Sequence, residues 1–295
     1  MTRYALISGG TGGIGIQLCT VFAEQGFKVI CMAPESTLWE ANDLKEKYGV
    51  ITYALDITDP AQCQKAAEFV KQHTEGGNLD VLYNNAGISI AGPATEFDNN
   101  ALIKLFLVNV FGHMYMTKYM AEYVINRQGL IVFTSSVAAR VPLSWVSLYN
   151  ATKAAIDAYA GTLHTEMKPF GVRVHSVITG GVDTAICDAN TVLSMAGSRY
   201  DVPGMIASMR SSAMMSRRDN ISPRSYADAV VSDVLSRRDR FNLYHGCKAY
   251  FLHWVSRFIP YFLVEWGVLR HFQALAVYRA LRERVRKQQQ KQKQL

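Results

Sequence analysis

Short apolar runs alternate with longer segments of helical periodicity along most of this chain. Six runs have the length and the β-branched content of buried strands. They lie at residues 4–8, 28–33, 52–55, 81–83, 130–134 and 172–178. The helical segments lie at residues 14–25, 36–48, 60–73, 99–127, 147–169 and 222–237. Because strands and helices alternate, we expect an α/β fold with a doubly wound parallel sheet and a ligand at the carboxyl ends of its strands.

The composition is typical of a folded protein that stays inside the cell. The chain has 295 residues, of which 49% are hydrophobic and 19% are charged, which favours one large domain with an appendage. Its five cysteines are odd in number and include no CxxC pair, which favours reduced thiols. The first predicted strand follows Arg3 directly, so we expect no secretory leader and an intracellular protein.

The basic charge is concentrated at one end of the chain. Residues 281–295 carry six basic side chains and one acidic one, so they hold +5 of the formal net charge of +7. Residues 1–280 are therefore nearly neutral, at +2. A neutral body with a basic tail does not favour nucleic-acid binding, and we expect no nucleic-acid partner.

A glycine-rich sequence, SGGTGGIG, joins the first predicted strand to the first predicted helix at residues 8–15. Glycines there permit a tight turn and bring backbone N–H groups at a helix N-terminus close to a phosphate. A glycine-rich turn without a ligand is the alternative. The strand-turn-helix context favours a nucleotide site. The candidate contacts in this turn are Gly9, Thr11, Gly13, Ile14 and Gly15.

Three more elements follow in a fixed order. Residues 84–87 read NNAG after the fourth strand, and Ser136 follows the fifth strand. Tyr149 and Lys153 are four positions apart, so they lie on one face of a helix. An Asn-rich turn or a YxxxK sequence is common by chance when it stands alone. The ordered combination on an alternating α/β chain is far more specific.

Together these motifs resemble the short-chain dehydrogenase/reductase family over about residues 1–245. The family pattern TGxxxGxG, NNAG, a helix Asn, Ser and YxxxK corresponds here to SGGTGGIG, NNAG, Asn109 in VNVFGH, Ser136 in FTSSVA, and YNATK. The sequences LYNNAG, NVFGH, LHTEMKPFGVRV and ITGGV are more narrowly similar to the fungal 1-acyldihydroxyacetone-phosphate reductases, as far as FIPYFLVE. The resemblance implies a Rossmann-type oxidoreductase domain over residues 1–246 and a C-terminal helical extension over residues 247–295.

The proposed catalytic residues are chemically consistent with ketone reduction. A free tyrosine, with a pKa near 10, is a poor proton donor at neutral pH. The ammonium of Lys153, one helical turn from Tyr149, would favour the phenolate and could also hydrogen-bond a ribose. Ser136 would hydrogen-bond the carbonyl oxygen, with Ser135 as the alternative. The resemblance implies that Asn109 holds a water connecting Lys153 to solvent.

Further nucleotide contacts follow from the resemblance. Asp56, after the third strand, is similar to the family residue that caps the adenine, although a solvated loop carboxylate is the alternative. In residues 179–184, which read TGGVDT, Thr179 replaces the usual proline and Thr184 meets the nicotinamide carboxamide. The remaining implied contacts are Asn85, Ala86, Gly87, Tyr149, Lys153 and Val182.

The choice of nucleotide depends on the end of the second strand. Ala33 occupies the position where an NAD site normally has a carboxylate, and Pro34 and Glu35 stand where related reductases carry arginines. Both usual determinants are missing. We favour NADP(H) because of the absent carboxylate and the resemblance; NAD(H) remains possible if Glu35 reaches the ribose 2′-hydroxyl.

Substrate recognition is expected in the loop at residues 185–220, where five methionines lie among small residues and four arginines. Flexible Met side chains suit a mobile cover over an apolar substrate, and an Arg could meet a phosphate. An adaptable loop with solvated charges is the alternative. We expect the substrate to be a hydrophobic ketone or alcohol. The first choice is an acyl-dihydroxyacetone-phosphate lipid, and the alternative is a steroid-like or polyketide product. A catalytically idle nucleotide-binding protein is disfavoured because Asn109, Ser136, Tyr149 and Lys153 are all present.

The sequence of the C-terminal extension predicts contact with a membrane surface. Residues 251–269 are rich in aromatic side chains but are interrupted by His253, Arg257, Pro260 and Glu265, so they do not form a span of about 20 apolar residues. Aromatics followed by a basic tail suit an anionic surface, such as the cytosolic face of the endoplasmic reticulum or a lipid droplet. A helix over the substrate pocket or at a subunit interface is the alternative. No metal site is expected, and we expect a homo-oligomer.

Overall fold

A seven-stranded parallel sheet forms the centre of the molecule. The structure is a computed structural model that describes residues 1–187 and 192–293. The strands are β1 Arg3–Ser8, β2 Phe27–Ala33, β3 Ile51–Ala54, β4 Val81–Asn84, β5 Leu130–Ser136, β6 Arg173–Thr179 and β7 Asn242–His245. Their order across the sheet is β3-β2-β1-β4-β5-β6-β7. The winding reverses between β1 and β4, and a crevice opens at the carboxyl ends of the strands at such a point.

Helices cover both faces of the sheet. They are α1 Gly13–Glu24, α2 Asn42–Tyr48, α3 Pro60–His73, α4 Asn99–Phe106, α5 Gly112–Ile125, α6 Ser147–Met167, α7 Met205–Ala213, α8 Met215–Arg218, α9 Pro223–Leu235, α10 Ala249–Phe258, α11 Tyr261–His271 and α12 Ala274–Gln292. Several helix starts follow from local chemistry. Asp59 caps α3 by accepting from two backbone N–H groups, and Pro60 occupies the first turn.

The expected α/β fold is confirmed, and the six predicted strands agree with the structure to within two residues. The seventh strand was not predicted. The helix expected over residues 99–127 is divided into α4 and α5 by a π-helical turn, Leu107–Phe111. The region predicted as a substrate loop contains α7 and α8; its residues 188–191 lie outside the described residues.

The core consists of two apolar layers, one on each side of the sheet. On one side, Phe22 of α1 and Tyr226 of α9 are fully buried against the strands. On the other side, Met120 of α5 and Ile156 of α6 are fully buried. Helix packing on both faces holds the strand ends, and therefore the site, in fixed positions.

The C-terminal helices α10, α11 and α12 pack onto the domain. Val264 and Phe272 are buried in one apolar cluster with Leu143, and Val277 of α12 is buried in another with Met209. The Ser208 hydroxyl also donates to the Phe272 carbonyl oxygen at 2.6 Å. The predicted boundary at residue 246 falls between the end of β7 and the start of α10. Within the described residues, every helix is too short or too polar to cross a bilayer.

The methionines of the predicted substrate loop lie in different environments. Met195, Met205 and Met209 are buried in the cluster under α12. Met214 is exposed, and Met215 lines the site described below. Burial among apolar neighbours therefore gives most of these methionines a packing role.

Candidate active site

A cavity of about 970 Å³ opens at the carboxyl ends of the central strands. It brings together residues from the glycine-rich turn, from the segments after β3, β4 and β6, and from α6. Every predicted nucleotide contact lines it: Gly9, Thr11, Gly13, Ile14, Gly15, Asp56, Asn85, Ala86, Gly87, Tyr149, Lys153, Val182 and Thr184. Ser136 lines it as well, whereas Asn109 lies fully buried behind it.

The glycine-rich turn has no space for side chains at two positions. A Cβ on Gly15 would lie 2.0 Å from the Gly9 carbonyl oxygen, and a Cβ on Gly9 would lie 2.6 Å from the Ala86 Cα. The helix α1 begins after Gly12, which has φ +86° and provides no side-chain cap. The first turn of α1 is therefore not capped by a side chain, and its N–H groups suit the phosphates of a dinucleotide.

The NNAG segment fixes the turn in place. Asn85 Nδ2 donates to the Gly9 carbonyl oxygen at 2.9 Å, and the Thr134 hydroxyl donates to Asn85 Oδ1 at 3.1 Å. The Asn85 side chain thus ties the first loop to the end of β5. Thr184 packs against the same turn, since a Cβ on Gly13 would lie 3.0 Å from its Cγ2. These residues fit a nicotinamide dinucleotide.

Two unpredicted contacts lie beside this turn. The Gly12 N–H donates to Glu40 Oε2 at 3.0 Å, and the Thr11 and Thr37 hydroxyls are 2.9 Å apart. Glu40 lies in the short helix after β2, where the sequence carries no motif that marks it. A carboxylate here bears on nucleotide choice because it repels a nearby phosphate.

The end of β2 carries neither usual determinant of nucleotide choice. Ala33 is buried and lines the cavity, and Glu35 follows it there. Among the described residues that line the cavity, the cations are Lys104 and Lys153. An arginine for a 2′-phosphate is therefore not among the described lining residues.

Tyr149 and Lys153 lie one turn apart on α6, as the sequence predicted. The Lys153 Nζ is 5.7 Å from the centre of the Tyr149 ring and donates to the Thr134 carbonyl oxygen at 2.8 Å. Lys153 is 2% exposed, and this burial lowers its pKa to about 8. The lysine is thus held in one place by a main-chain acceptor that the sequence did not indicate.

Asn109 braces the site from the π-helical turn. Its Oδ1 accepts from the Ile88 N–H at 2.9 Å, and its Nδ2 donates to the Ile88 carbonyl oxygen at 2.9 Å. Nδ2 also lies 3.1 Å from the Thr152 hydroxyl oxygen of α6. The side chain therefore ties the segment after β4 to α6. Its predicted water stays a prediction.

Both serine candidates end β5 and line the cavity. Ser136 Oγ accepts from the Ala138 N–H at 3.1 Å. Ser135 is almost fully buried, and its Oγ has no hydrogen-bond partner within the described structure. Ser136 therefore has a fixed orientation. Its role at the substrate carbonyl stays a prediction, with Ser135 as the alternative.

His113 was missed by the sequence reasoning although it stands in NVFGH. Its Nε2 donates to the Ala86 carbonyl oxygen at 2.7 Å. Burial, together with the nearby Lys153 cation, lowers the pKa of His113 to about 3. It is therefore a neutral residue that positions the NNAG segment from below. No pattern distinguishes such a histidine from an ordinary core residue.

A glycine-rich turn at the reversal of a parallel sheet, with a Tyr-Lys pair facing the same cavity, defines a nicotinamide-dependent oxidoreductase. The family model described as short chain dehydrogenase matches residues 3–191. The chain belongs to this family and is an NAD(P)-dependent oxidoreductase.

Two curated relatives illustrate the similarity. The NADPH-dependent 1-acyldihydroxyacetone phosphate reductase of Saccharomyces cerevisiae is 37% identical over 286 residues, covering 96% of this chain and 95% of the relative. A short-chain dehydrogenase of Penicillium crustosum is 35% identical over 262 residues, covering 88% of this chain and 94% of its own. Both alignments are long enough to include the Tyr149–Lys153 pair.

Solved structures share the fold. A short-chain dehydrogenase from Streptomyces avermitilis superposes with a TM-score of 0.76 at 22% identity, covering 94% of this chain and 97% of that chain. An alcohol dehydrogenase from Thermococcus sibiricus, complexed with 5-hydroxy-NADP, gives 0.69 at 21% identity, covering 84% and 97%. At these identities the likeness supports the architecture alone.

Proposed function

We propose that the protein uses NADPH to reduce a ketone to a secondary alcohol on a hydrophobic substrate, and that this substrate is an acyl-dihydroxyacetone-phosphate. The observation that carries the reductase chemistry is the buried Lys153 ammonium beside Tyr149, in a cavity that the glycine-rich turn also lines. The substrate assignment is supported by the yeast reductase, which aligns over nearly the whole chain.

The residues divide the reaction among them. Bound NADPH supplies a hydride to the carbonyl carbon. The Tyr149 hydroxyl gives its proton to the carbonyl oxygen, so that C–H and O–H bonds form as the C=O double bond becomes single. Lys153, through its charge, makes the phenolate less costly. Ser136 would donate to the same oxygen, and Thr184 would hold the nicotinamide carboxamide of the bound nucleotide.

The walls near Tyr149 suit an apolar substrate with a polar end. Leu143, Val146 and Met215 line this part of the cavity. Ser212 lines it too, and its buried Oγ has no hydrogen-bond partner among the residues described. An unpaired buried hydroxyl is costly, and a substrate oxygen would satisfy it.

Two observations favour NADPH over NADH. The yeast relative is NADPH-dependent, and Ala33 offers no carboxylate to repel a 2′-phosphate. Two carboxylates favour NADH instead, because each would repel a 2′-phosphate. Glu40 contacts the glycine-rich turn, and Glu35 lines the cavity after the end of β2. Comparing the binding of both nucleotides decides between these influences.

The C-terminal helices are proposed to rest on an anionic membrane surface. Aromatic side chains on α10 and α11 face outward: Phe258 is 70% exposed, Phe262 66% and Trp266 52%. The basic residues of α12 follow them along the chain. Aromatic rings favour the bilayer interface and basic residues attract anionic lipids. The cytosolic face of the endoplasmic reticulum or a lipid droplet would provide such a surface.

A ketone panel tests the proposed function. Purified protein with NADPH is offered an acyl-dihydroxyacetone-phosphate, a steroid ketone and a polyketide ketone, and the alcohol products are measured. The proposal predicts the highest kcat/KM for the acyl-dihydroxyacetone-phosphate. Higher kcat/KM for either of the other two overturns the substrate assignment. Absence of turnover with all three, despite nucleotide binding, favours a catalytically idle protein.

A further inference from the structure

A second cavity, of about 300 Å³, lies beneath α10 and α11. Its walls are mainly aliphatic and aromatic. They include Leu252 and Val255 of α10, and Val264 and Val268 of α11. Lys248 and Asp219 form an ion pair at its border, so each charge is already compensated.

This cavity adjoins the catalytic one. Val137, Leu143 and Met215 line both cavities. Val137 follows Ser136 directly in the chain and is almost fully buried. A wall formed by these three side chains therefore separates the two spaces close to the predicted position of the substrate carbonyl. A flexible Met in such a wall can change rotamer at small cost.

The chemistry of the second cavity fits a hydrocarbon. None of the buried polar atoms that lack a hydrogen-bond partner in the described residues belongs to its lining. The polar side chains of its lining are the paired Lys248 and Asp219, and the exposed His271. Away from these three, a polar ligand would lose its hydrogen bonds to water without replacement. Since a cavity of about 150 Å³ holds the six carbons of benzene, 300 Å³ corresponds to roughly twelve carbons.

The second cavity also reaches the outer apolar face. Phe251, Ile259 and Leu263 line it and are exposed on the surface. Phe251 lies on α10, Leu263 on α11 and Ile259 directly after α10, next to the aromatic side chains that face outward. One end of the cavity thus borders the catalytic pocket, and the other opens where a lipid surface would lie.

We propose that this second cavity binds the hydrocarbon chain of the substrate while its ketone occupies the catalytic cavity. The inference rests on the proposed reductase function and extends it to a substrate class: ketones that carry an aliphatic chain of up to about twelve carbons in the protein. For one substrate to occupy both cavities, the Met215 side chain in the shared wall must move aside, as its flexibility allows.

Gly267 is an exposed helix position at the edge of the cavity where a larger side chain meets no clash. It lines the cavity from α11, and a Cβ there would meet no atom within 4 Å. Gly267→Phe adds a large side chain, while Gly267→Ala is the matched control because both replace a glycine in a helix. Val255→Phe fills the cavity from the opposite helix, in case Gly267→Phe does not fold.

A chain-length series in the intact protein measures the effect. Ketones with the same head group and chains of four to sixteen carbons are compared. In the wild type, kcat/KM should rise up to about fourfold per methylene and level off near twelve carbons. In Gly267→Phe the plateau should come several carbons earlier, with short-chain ketones unaffected. Gly267→Ala should follow the wild type.

Calorimetric titration with 1-decanol gives a readout that needs no turnover. The wild type and Gly267→Ala should bind it at least tenfold more tightly than Gly267→Phe. That result supports the chain site even if every ketone proves inert, in which case only the reductase function fails. Turnover without chain-length dependence, together with equal decanol affinity in all variants, overturns the chain site and leaves the reductase function standing.

Discussion

Lys153 lies one helical turn after Tyr149, with its buried ammonium 5.7 Å from the centre of the tyrosine ring. The ammonium is anchored on the Thr134 carbonyl oxygen at the end of β5. Because the lysine is tied to the sheet and the tyrosine to α6, packing between sheet and helix fixes their separation. This geometry lets a positive charge act on the phenol.

Tyr149→Phe removes the proton donor and keeps the ring. We expect kcat for ketone reduction to fall 10²–10⁴-fold, the usual contribution of a general acid, while nucleotide affinity changes little. Steady-state kinetics and nucleotide titration measure both. If the variant keeps more than about a tenth of the wild-type kcat with hydride transfer rate-limiting, Tyr149 is not the acid.

Lys153→Met removes a buried charge and should stabilise the nucleotide-free protein. The pKa of Lys153 is about 8 in the folded chain, below the ordinary 10.5. The unfolded state therefore binds more protons between these values, so stability rises with pH across that window. At pH 7 we expect the variant to gain on the order of 1–3 kcal/mol in the free energy of unfolding, while losing activity.

Urea unfolding at pH 7 and pH 10 checks this expectation. The difference between variant and wild type should shrink at the higher pH, because wild-type Lys153 is then largely neutral in the folded state. An equal or larger stabilisation at pH 10 would mean that the burial of charge is not its cause.

Ala33→Asp places a carboxylate at the end of β2. We expect the wild type to bind NADPH more tightly than NADH, and the variant to reverse this order, because the carboxylate repels a 2′-phosphate. Ala33→Asn is the matched control, with similar shape and no charge. Tighter NADH binding by the wild type would contradict the assignment and direct attention to Glu35 and Glu40.

The proposed membrane contact can be tested on its exposed aromatics. Replacing Phe258, Phe262 and Trp266 together by Ser should weaken flotation with anionic vesicles, and raised salt should weaken it further for the wild type. Trp39→Ser is the control, because Trp39 is also an exposed tryptophan but lies far in the sequence from the C-terminal helices. If the wild-type protein does not float with anionic vesicles at low salt, the proposed membrane contact is wrong.

Truncation after Gly246 would remove the C-terminal helices, but it is a poor test of membrane binding. Val264 and Phe272 are buried against the domain, so their removal would uncover an apolar cluster. Loss of membrane binding would then be mixed with loss of packing. Substitutions at exposed positions avoid this because surface changes cost little stability.

Much of the fold could be predicted because its signals are local. The six predicted strands are mainly apolar runs, and the glycine-rich turn is marked by residues that close backbone contact requires. Tyr149 and Lys153 could be paired because their spacing equals one helical turn. Such features follow from neighbours in the chain.

Other features depend on distant residues and left no readable pattern. β7 is short and only partly buried, and it is a strand because β6 offers it an edge. Thr134 holds Lys153 through a main-chain carbonyl, which any residue could supply. Glu40 reaches Gly12 only once the segment after β2 folds back over the turn.

The most direct test of the account follows the hydride itself. Purified protein is incubated with an acyl-dihydroxyacetone-phosphate and NADPH deuterated at the transferable position, and the product is analysed by mass spectrometry. The account predicts one deuterium on the new carbinol carbon with the wild type, and product formation reduced at least a hundredfold with Tyr149→Phe. A wild-type protein that binds the nucleotide yet transfers no deuterium to this ketone would contradict it.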